Sequence, residues 1–138
     1  MTKVDFYILG NGSSQITACK LAEKAYKMGH RIYVHVESEA QAKQIDEMLW
    51  TFRAGSFIPH KRYQSNNDND SPVMVGYQDE PEIDCDILIN LGTEVPLFFS
   101  RFDRVAEIIS NEDDAKISGR QRFRFYRDRG YALNTHEL

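Results

Sequence analysis

The sequence predicts an α/β fold with a mostly parallel sheet flanked by helices. The chain opens with a β-α-β-α alternation over residues 4–52, and successive parallel strands need a crossover that is usually a helix. Residues 87–91 read ILINL, a fully apolar run typical of a parallel strand covered on both faces. Because the chain has 138 residues and no internal repeat, we expect one domain spanning residues 1–138.

Two strand–helix pairs make up the first half. Residues 4–9 and 31–36 are apolar and rich in β-formers, so both are predicted to be strands. A helix is predicted between them, over residues 13–28, because apolar side chains recur there at helical spacing. A second helix begins after Ser38, where Ser-Glu-Ala-Gln is a capping box that should bring the Gln41 side chain back to the Ser38 amide.

The second half is less regular. Residues 54–60 are predicted to be a loop, and the Asn/Asp-rich residues 61–72 a polar, irregular continuation of it. Further strands are predicted at 73–77, 87–91 and, as the last strand, 103–109. A final helix is predicted from a cap at Asn111 to about Arg129, with Gly130 ending it.

Composition and motifs exclude several classes of function. No apolar stretch approaches the roughly 20 residues of a membrane span, so we predict no membrane partner. Cys19 and Cys85 fit no metal or redox spacing and the four histidines form no ligand pattern, so we predict no metal and no cofactor. Without a P-loop lysine, an HExxH motif or a Ser/His/Asp order, no catalytic residue and no enzyme activity are expected. Two thiols in a leaderless chain indicate a cytoplasmic protein.

The loop after the first strand contains part of a nucleotide-binding motif. Gly10 and Gly12 match the start of G-x-G-x-x-G, and Glu37 ends the second strand, where a ribose-binding acid would lie. The third glycine is missing, since residue 15 is Gln. A tight turn capped by Ser13 or Ser14 is the favoured interpretation, and a nucleotide-binding Rossmann-type protein is kept as an alternative.

The final helix carries the most distinctive pattern, because a basic and aromatic run lies in a chain of formal charge −4. One face is predicted to hold the residues Lys116, Arg120, Phe123, Arg124 and Arg127. An adjacent face of Ala115, Gly119, Arg122 and Tyr126 should pack inward. The basic face is either a solvated surface or a site for an anion with an apolar part.

Two ligands suit such an anion site. A single-stranded nucleic acid would use cations and stacking rings, whereas an acidic peptide end would use the planar guanidinium fork for its carboxylate. The net negative charge and the carboxylates at 79–86 and 112–114 disfavour a phosphate backbone. We therefore rank a discrete acidic-peptide pocket above direct nucleic-acid binding.

The only tryptophan, Trp50, ends the second helix just before Phe57, Ile58 and Pro59. These four residues are expected to cluster. They either fill the core beneath the 54–60 loop or form an anchor for a protein partner, since aromatic residues dominate interface hot spots.

The quoted segments resemble a known family over residues 5 to about 135. The shared blocks are D-F-Y-I-L, E-M-L-W followed by S-F-I-P-H, D-I-L-I-N-L, and R-x-R-F-x-F-Y-R-x-x-G-Y-x-L-N-T. In order and spacing they are similar to the chi subunit of the bacterial DNA polymerase III holoenzyme. That resemblance implies a Rossmann-like α/β fold that does no chemistry and reaches DNA only indirectly.

The resemblance also implies partners and the residues that bind them. Chi pairs with the psi subunit, which links it to the clamp loader, and grips the acidic C-terminal tail of single-stranded DNA-binding protein, which ends in Asp, Pro and Phe. The implied tail pocket consists of Ile109, Lys116, Arg120, Phe123 and Arg124. Within it, Arg120 takes the terminal carboxylate, Lys116 attracts the acidic residues, and the phenyl ring lies between Ile109 and Phe123. The implied psi interface consists of Trp50, Phe57, Ile58 and Pro59, for which a helicase competes.

Overall fold

A computed structural model describes residues 1–64, 70–78 and 81–138. It contains seven strands and three α-helices in these residues. The strands are β1 (Lys3–Ile8), β2 (Ile32–His35), β3 (His60–Arg62), β4 (Val73–Gly76), β5 (Ile87–Asn90), β6 (Arg104–Ile109) and β7 (Ala132–Glu137). The helices are α1 (Ser14–Lys27), α2 (Glu39–Thr51) and α3 (Asp113–Asp128).

The strands form one sheet in the order β3-β4-β2-β5-β6-β1-β7, and every neighbouring pair is parallel. This confirms the predicted α/β class. Although β1, α1 and β2 follow one another along the chain, β5 and β6 lie between β1 and β2 in the sheet. The N-terminal strand instead pairs with β6 and β7, which come from the last third of the sequence.

Helices cover both faces of the sheet. Helices α1 and α2 contribute Ala22 and Leu49 to a core that also contains Val34 of β2. The opposite face packs against α3, whose Tyr126 lies in a second core with Phe6 of β1. Burial of these apolar surfaces provides most of the driving force for folding.

Two predicted boundaries in the sheet were wrong. Residues 60–62, expected as loop, form β3, because backbone pairing with β4 does not require apolar side chains and Lys61 and Arg62 point to solvent at the sheet edge. The strand 104–109 is not the last, since β7 follows α3. Its sequence, ALNTHE, lacks a strong apolar alternation because most of its side chains are exposed. Of the predicted loop at 61–72, residues 65–69 lie outside the described residues.

The helix starts were predicted with mixed success. Ser13 caps α1 and Ser38 caps α2, each side chain accepting a hydrogen bond from a backbone amide of the first turn. The Gln41 side chain accepts from the Glu37 amide, one residue before the Ser38 amide that was predicted. Asn111 is not the cap of α3, because Glu112 holds that position without a side-chain hydrogen bond.

Candidate functional site

The inward face of α3 is fixed to the sheet by a buried polar network. Arg122 is 5% exposed and its Nε donates to Oε1 of Glu107, which is fully buried, at 2.9 Å. Tyr126 Oη donates to Oε2 of Glu107 at 2.8 Å, and Asn90 Nδ2 lies 3.0 and 3.1 Å from the two oxygens. The predicted packing face of α3 therefore does pack, and its arginine does so by pairing with a buried acid.

Burial dominates the electrostatics of this network. It raises the pKa of Glu107 above its ordinary value, although the Arg122 charge and the donors from Asn90 and Tyr126 act in the opposite direction. Burial, followed by the nearby Glu107 charge, also raises the pKa of Tyr126. Arg122 makes a further bond to the Thr93 carbonyl at 3.1 Å. These contacts hold α3 in one orientation on β6.

Gly119 lets α3 approach the sheet closely. A Cβ atom at this position would lie 2.2 Å from Cδ1 of Ile109, so a larger side chain would push the helix away from β6. The close approach at Gly119 and the pairing at Arg122 lie on the side of α3 that faces β6. Next to this contact a groove opens between α3 and the sheet, toward β1 and β7.

This α3 groove has a volume of about 380 Å³. It is lined by Phe6 and Ile8 of β1, Ile109 of β6, Thr135 of β7, and Lys116, Gly119, Arg120 and Phe123 of α3. The rings of Phe6 and Phe123 meet edge to face, with centroids 5.3 Å apart. The groove thus has an apolar floor and one wall that carries two cations.

These two cations have no counterion within the described part of the chain. None of the ion pairs among those residues includes Lys116 or Arg120. Arg120 is exposed and Lys116 is half-buried. Farther along α3, by contrast, Arg127 pairs with Asp128 at 3.2 Å, and the Arg129 guanidinium lies 3.5 Å from the Phe125 ring centroid.

The structure brings together four of the five residues predicted for this site. Ile109, Lys116, Arg120 and Phe123 all line the groove, whereas Arg124 is exposed on α3 outside the lining. The floor residues of β1 and the contribution of β7 were missed by sequence reasoning. Alternation along β1 could have placed Phe6 and Ile8 on one face, but no signal in the sequence put that face under α3.

A second candidate surface lies where α2 ends. Trp50 is 58% exposed and Phe57 79% exposed, and Pro59 is exposed beside them, so Trp50 is not a core residue. The Trp50 ring packs on the His60 ring, with centroids 4.6 Å apart. Ile58, also predicted for this surface, is 2% exposed and belongs to the core on the α1/α2 face, because alternate residues of this extended segment point inward. We call the exposed residues Trp50, Phe57 and Pro59 the Trp50 surface.

The glycine loop is occupied by structural contacts. The Gly10 amide donates to the Leu138 carbonyl at 3.1 Å, and Gly12 has a φ of 87°, which glycine adopts without strain. Glu37 accepts a hydrogen bond from the Thr93 amide at 2.6 Å. Together with the separation of β1 from β2, these contacts favour the capped turn over a dinucleotide site, in which those two strands are neighbours.

The described residues contain neither a candidate membrane-spanning helix nor a candidate metal cluster. No helix in ranges 1–64, 70–78 and 81–138 is long and apolar enough to cross a membrane. In the same ranges, no group of three or more His, Cys, Asp or Glu side chains is placed to hold a metal ion.

The fold is similar to that of a solved protein of a different kind. The crystal structure of T4 UvsW superposes with a TM-score of 0.69 at 11% sequence identity, covering 99% of this chain and 42% of that one. At this level of identity the similarity shows the fold alone. It supports the Rossmann-like α/β architecture.

Sequence comparisons are more specific. A family model described as "DNA polymerase III chi subunit, HolC" matches residues 1–134. The chain is 41% identical over 141 residues to DNA polymerase III subunit chi of Pseudomonas aeruginosa, covering 100% of this chain and 98% of that protein. It is 32% identical over 143 residues to the Escherichia coli (strain K12) subunit of the same name, with coverages of 98% and 97%. The chain therefore belongs to the DNA polymerase III chi subunit family.

Proposed function

We propose that this protein is a non-catalytic adaptor that links the DNA polymerase III clamp loader, through the psi subunit, to single-stranded DNA-binding protein. It does so by gripping the acidic C-terminal tail of that binding protein, and it reaches DNA only through it. The observation that carries the proposal is the α3 groove, in which Arg120 and Lys116, neither of them in an ion pair among the described residues, lie beside an apolar floor.

The charged wall suits an anion that offers two adjacent oxygens, such as a carboxylate or a phosphate. A guanidinium makes two parallel hydrogen bonds to a carboxylate, so Arg120 is assigned to the terminal carboxylate of the tail. Lys116 lies one helical turn away and acts as a point charge for the acidic residues upstream. Arg124, outside the lining, contributes long-range attraction.

The apolar floor favours one of the two ligands that the sequence left open, the acidic peptide end, over the single-stranded nucleic acid. Ile109, Phe123 and the β1 residues Phe6 and Ile8 offer a surface that a phosphate backbone does not use. A peptide that ends in an aromatic residue uses both halves of the site, with its ring on the floor and its carboxylate at Arg120. A volume of about 380 Å³ also falls in the range of small-ligand pockets.

The Trp50 surface is proposed as the contact with psi. Exposed Trp and Phe side chains are the residue types most often found at interface hot spots, and here they lie within ten residues of one another. A helicase competes for the same surface in this proposal. Ile58 supports the surface from beneath, since it is buried.

The test is a titration of the protein into a fluorescein-labelled acidic peptide that ends in phenylalanine, followed by fluorescence anisotropy. We expect binding that weakens when the terminal phenylalanine is removed or its carboxylate is amidated, and that is largely lost in Arg120→Ala. Arg124→Ala is the matched control, because it removes the same charge from the same helix outside the groove lining. An unchanged affinity in Arg120→Ala would reject the tail assignment.

A second titration distinguishes direct nucleic-acid binding from binding of the acidic tail. A labelled oligonucleotide should show no binding when the single-stranded DNA-binding protein is absent. Retention of the oligonucleotide, with a slope of about −0.7 in log affinity against log salt for each phosphate contacted, would favour the direct-binding alternative.

A further inference from the structure

The two edges of the sheet differ in how well they are protected from pairing with another chain. At one edge, β3 has three residues and carries the exposed Lys61 and Arg62, so it is short and charged. At the other edge, β7 has six residues, ALNTHE, without proline, lysine or arginine. Proteins usually blunt long edge strands with these residues, so an unprotected edge is a template for an added strand.

The backbone groups that β7 leaves open can be assigned. The Leu138 amide donates to the Ile8 carbonyl at 2.9 Å, and the Leu138 carbonyl accepts from the Gly10 amide at 3.1 Å. In a parallel strand the N–H and C=O of one residue point to the same side and those of the next residue to the other. The even-numbered residues of β7 therefore bond to β1, and Leu133, Thr135 and Glu137 present their N–H and C=O groups outward.

The open edge adjoins the α3 groove. Thr135 lines the groove with its side chain and lies opposite Phe6 of the floor in the β1–β7 pairing. An eighth strand along β7 would direct every second side chain to the face of the sheet that carries α3. An extended peptide could therefore pair with β7 and place its terminal ring on the groove floor.

The spacing of the two cations fits such a strand. In α3, Gly119 lies against Ile109 at the end of β6, and Phe123, four residues later, lies against Phe6 in the middle of β1. Helix α3 therefore runs in the direction opposite to the strands. Four helical residues, as from Lys116 to Arg120, advance about 6 Å, whereas two residues of an antiparallel strand advance about 6.8 Å. Side chains on one face of an added strand thus recur at nearly the spacing of the two cations.

We propose that the acidic tail binds as an eighth strand, antiparallel to β7, with its backbone bonded to Thr135 and Glu137. Its terminal carboxylate lies at Arg120 and its upstream acids pass Lys116. This inference rests on the proposed function, because it takes the same groove as the site of the chain end. It adds main-chain hydrogen bonds to the affinity, and these bonds tolerate different side chains upstream of the terminal residue.

The test uses the peptide DDDAAF with fluorescein on its N-terminus and a free carboxylate, in which Ala replaces the Pro before the terminal Phe so that every amide can be methylated. Four further versions carry one N-methyl group on one of the last four amides. Methylation removes one donor and leaves every side chain in place. We expect alternate positions to lose roughly tenfold in affinity, with little change at the positions between them, because only alternate amides of a strand face β7. Equal effects at all positions, or none, would overturn the strand pairing while leaving the groove assignment intact. Failure of the parent peptide to bind would overturn both.

Amide hydrogen exchange on the ¹⁵N-labelled protein gives a second readout that needs no variant. The amides of Asn134 and His136 are already bonded to β1 and should be protected with or without the DDDAAF peptide. Those of Thr135 and Glu137 should exchange fast in the free protein and slowly in the complex. Unchanged exchange at these two amides under saturating peptide would contradict the proposal.

Discussion

The α3 groove and the Trp50 surface are two different kinds of recognition surface on one small protein. The groove combines side chains from β1, β6, α3 and β7, which are distant in sequence, and it places charge beside an apolar floor. The Trp50 surface comes from residues within a ten-residue stretch and offers aromatic area. A cavity that combines charge with an apolar floor suits the end of a peptide chain, whereas an exposed aromatic area suits a folded partner.

The two surfaces also differ in how they are supported. The groove wall is a helix held by the buried pair of Arg122 and Glu107, so its shape depends on a polar network beneath it. In the Trp50 surface the indole packs on the ring of His60, and Ile58, between Phe57 and Pro59 in the sequence, is buried in the core. A change in the groove's support should therefore disturb the whole fold, whereas changes on either surface should not.

The largest effect is expected from Arg122→Ala. Glu107 would remain fully buried without its cation, and breaking a buried ion pair in this way costs about 3–5 kcal/mol. Urea unfolding should show this loss in the free energy of unfolding. The control Arg120→Ala removes the same residue type two positions away and should change stability by less than about 0.5 kcal/mol. Similar losses in the two variants would mean that the division of α3 into a supporting and a binding side is wrong.

Arg120→Ala should have the next largest effect, and on peptide binding alone. Loss of a cation facing a partly buried carboxylate is expected to cost about 2 kcal/mol or more, a drop in affinity of roughly 30-fold. The measurement is the anisotropy titration described above. Trp50→Ala is the control that tests whether the two surfaces act independently. It should leave the affinity for the tail peptide unchanged.

Trp50→Ala should leave the fold intact, because its side chain is exposed, and should weaken capture of psi by about 2 kcal/mol if the proposed contact is right, because exposed Trp residues are typical interface hot spots. Co-purification with psi and a thermal melt of the variant measure the two parts. A melt that falls by more than a few degrees would show that the indole stabilises the fold more than its exposure indicates. Retained psi binding would remove the Trp50 surface from the proposal.

Raising the salt concentration should weaken binding at the two surfaces to different extents, with a smaller effect than the substitutions above. Raising the salt concentration from about 50 mM to about 500 mM screens exposed charges, so tail binding at Arg120 and Lys116 should weaken several-fold. Binding at the aromatic Trp50 surface should change little. Equal salt dependence at the two sites would break the distinction between a charged groove and an apolar contact.

The smallest effect concerns a site away from both surfaces. Burial alone would raise the pKa of Asp86, but the hydrogen bond from the Arg31 amide and the contact with His30 outweigh it and lower the pKa. A lowered carboxyl pKa stabilises the fold above the unfolded-state value of about 3.9, and this contribution is lost as the pH falls below it. Asp86→Asn should thus be slightly less stable than the parent protein at pH 7, with the difference shrinking below about pH 4. A constant difference across that range would contradict the assignment.

The elements that were predicted well have strong local patterns. Apolar runs identified β1, β2 and β5, and serine caps identified the starts of α1 and α2, because these signals reside in a few consecutive residues. The strands β3 and β7 were missed because they lie at sheet edges, where side chains face solvent and pairing alone defines the strand.

In the candidate site, too, the parts with a local sequence pattern were predicted and the parts that depend on topology were not. Helical phase placed Lys116, Arg120 and Phe123 together, and the structure confirms that they share the groove wall. The floor depends on β1 lying between β6 and β7, which is a property of topology that no local pattern reports. Helical phase alone placed Arg122 on the inward face, and only its hydrogen bond to Glu107 in the structure explains why a charge is buried there.

The position of β1 in the sheet has a consequence for how the molecule is assembled during synthesis. Strand β1 is synthesised long before β6 and β7, with which it pairs, so its backbone groups lack those partners until residues 104–137 have been made. Closing so long a loop is entropically costly, and contacts of this range slow folding. The groove, which Thr135 of β7 helps to line, therefore forms only after β7 has been synthesised, and a chain truncated before β7 lacks part of its lining.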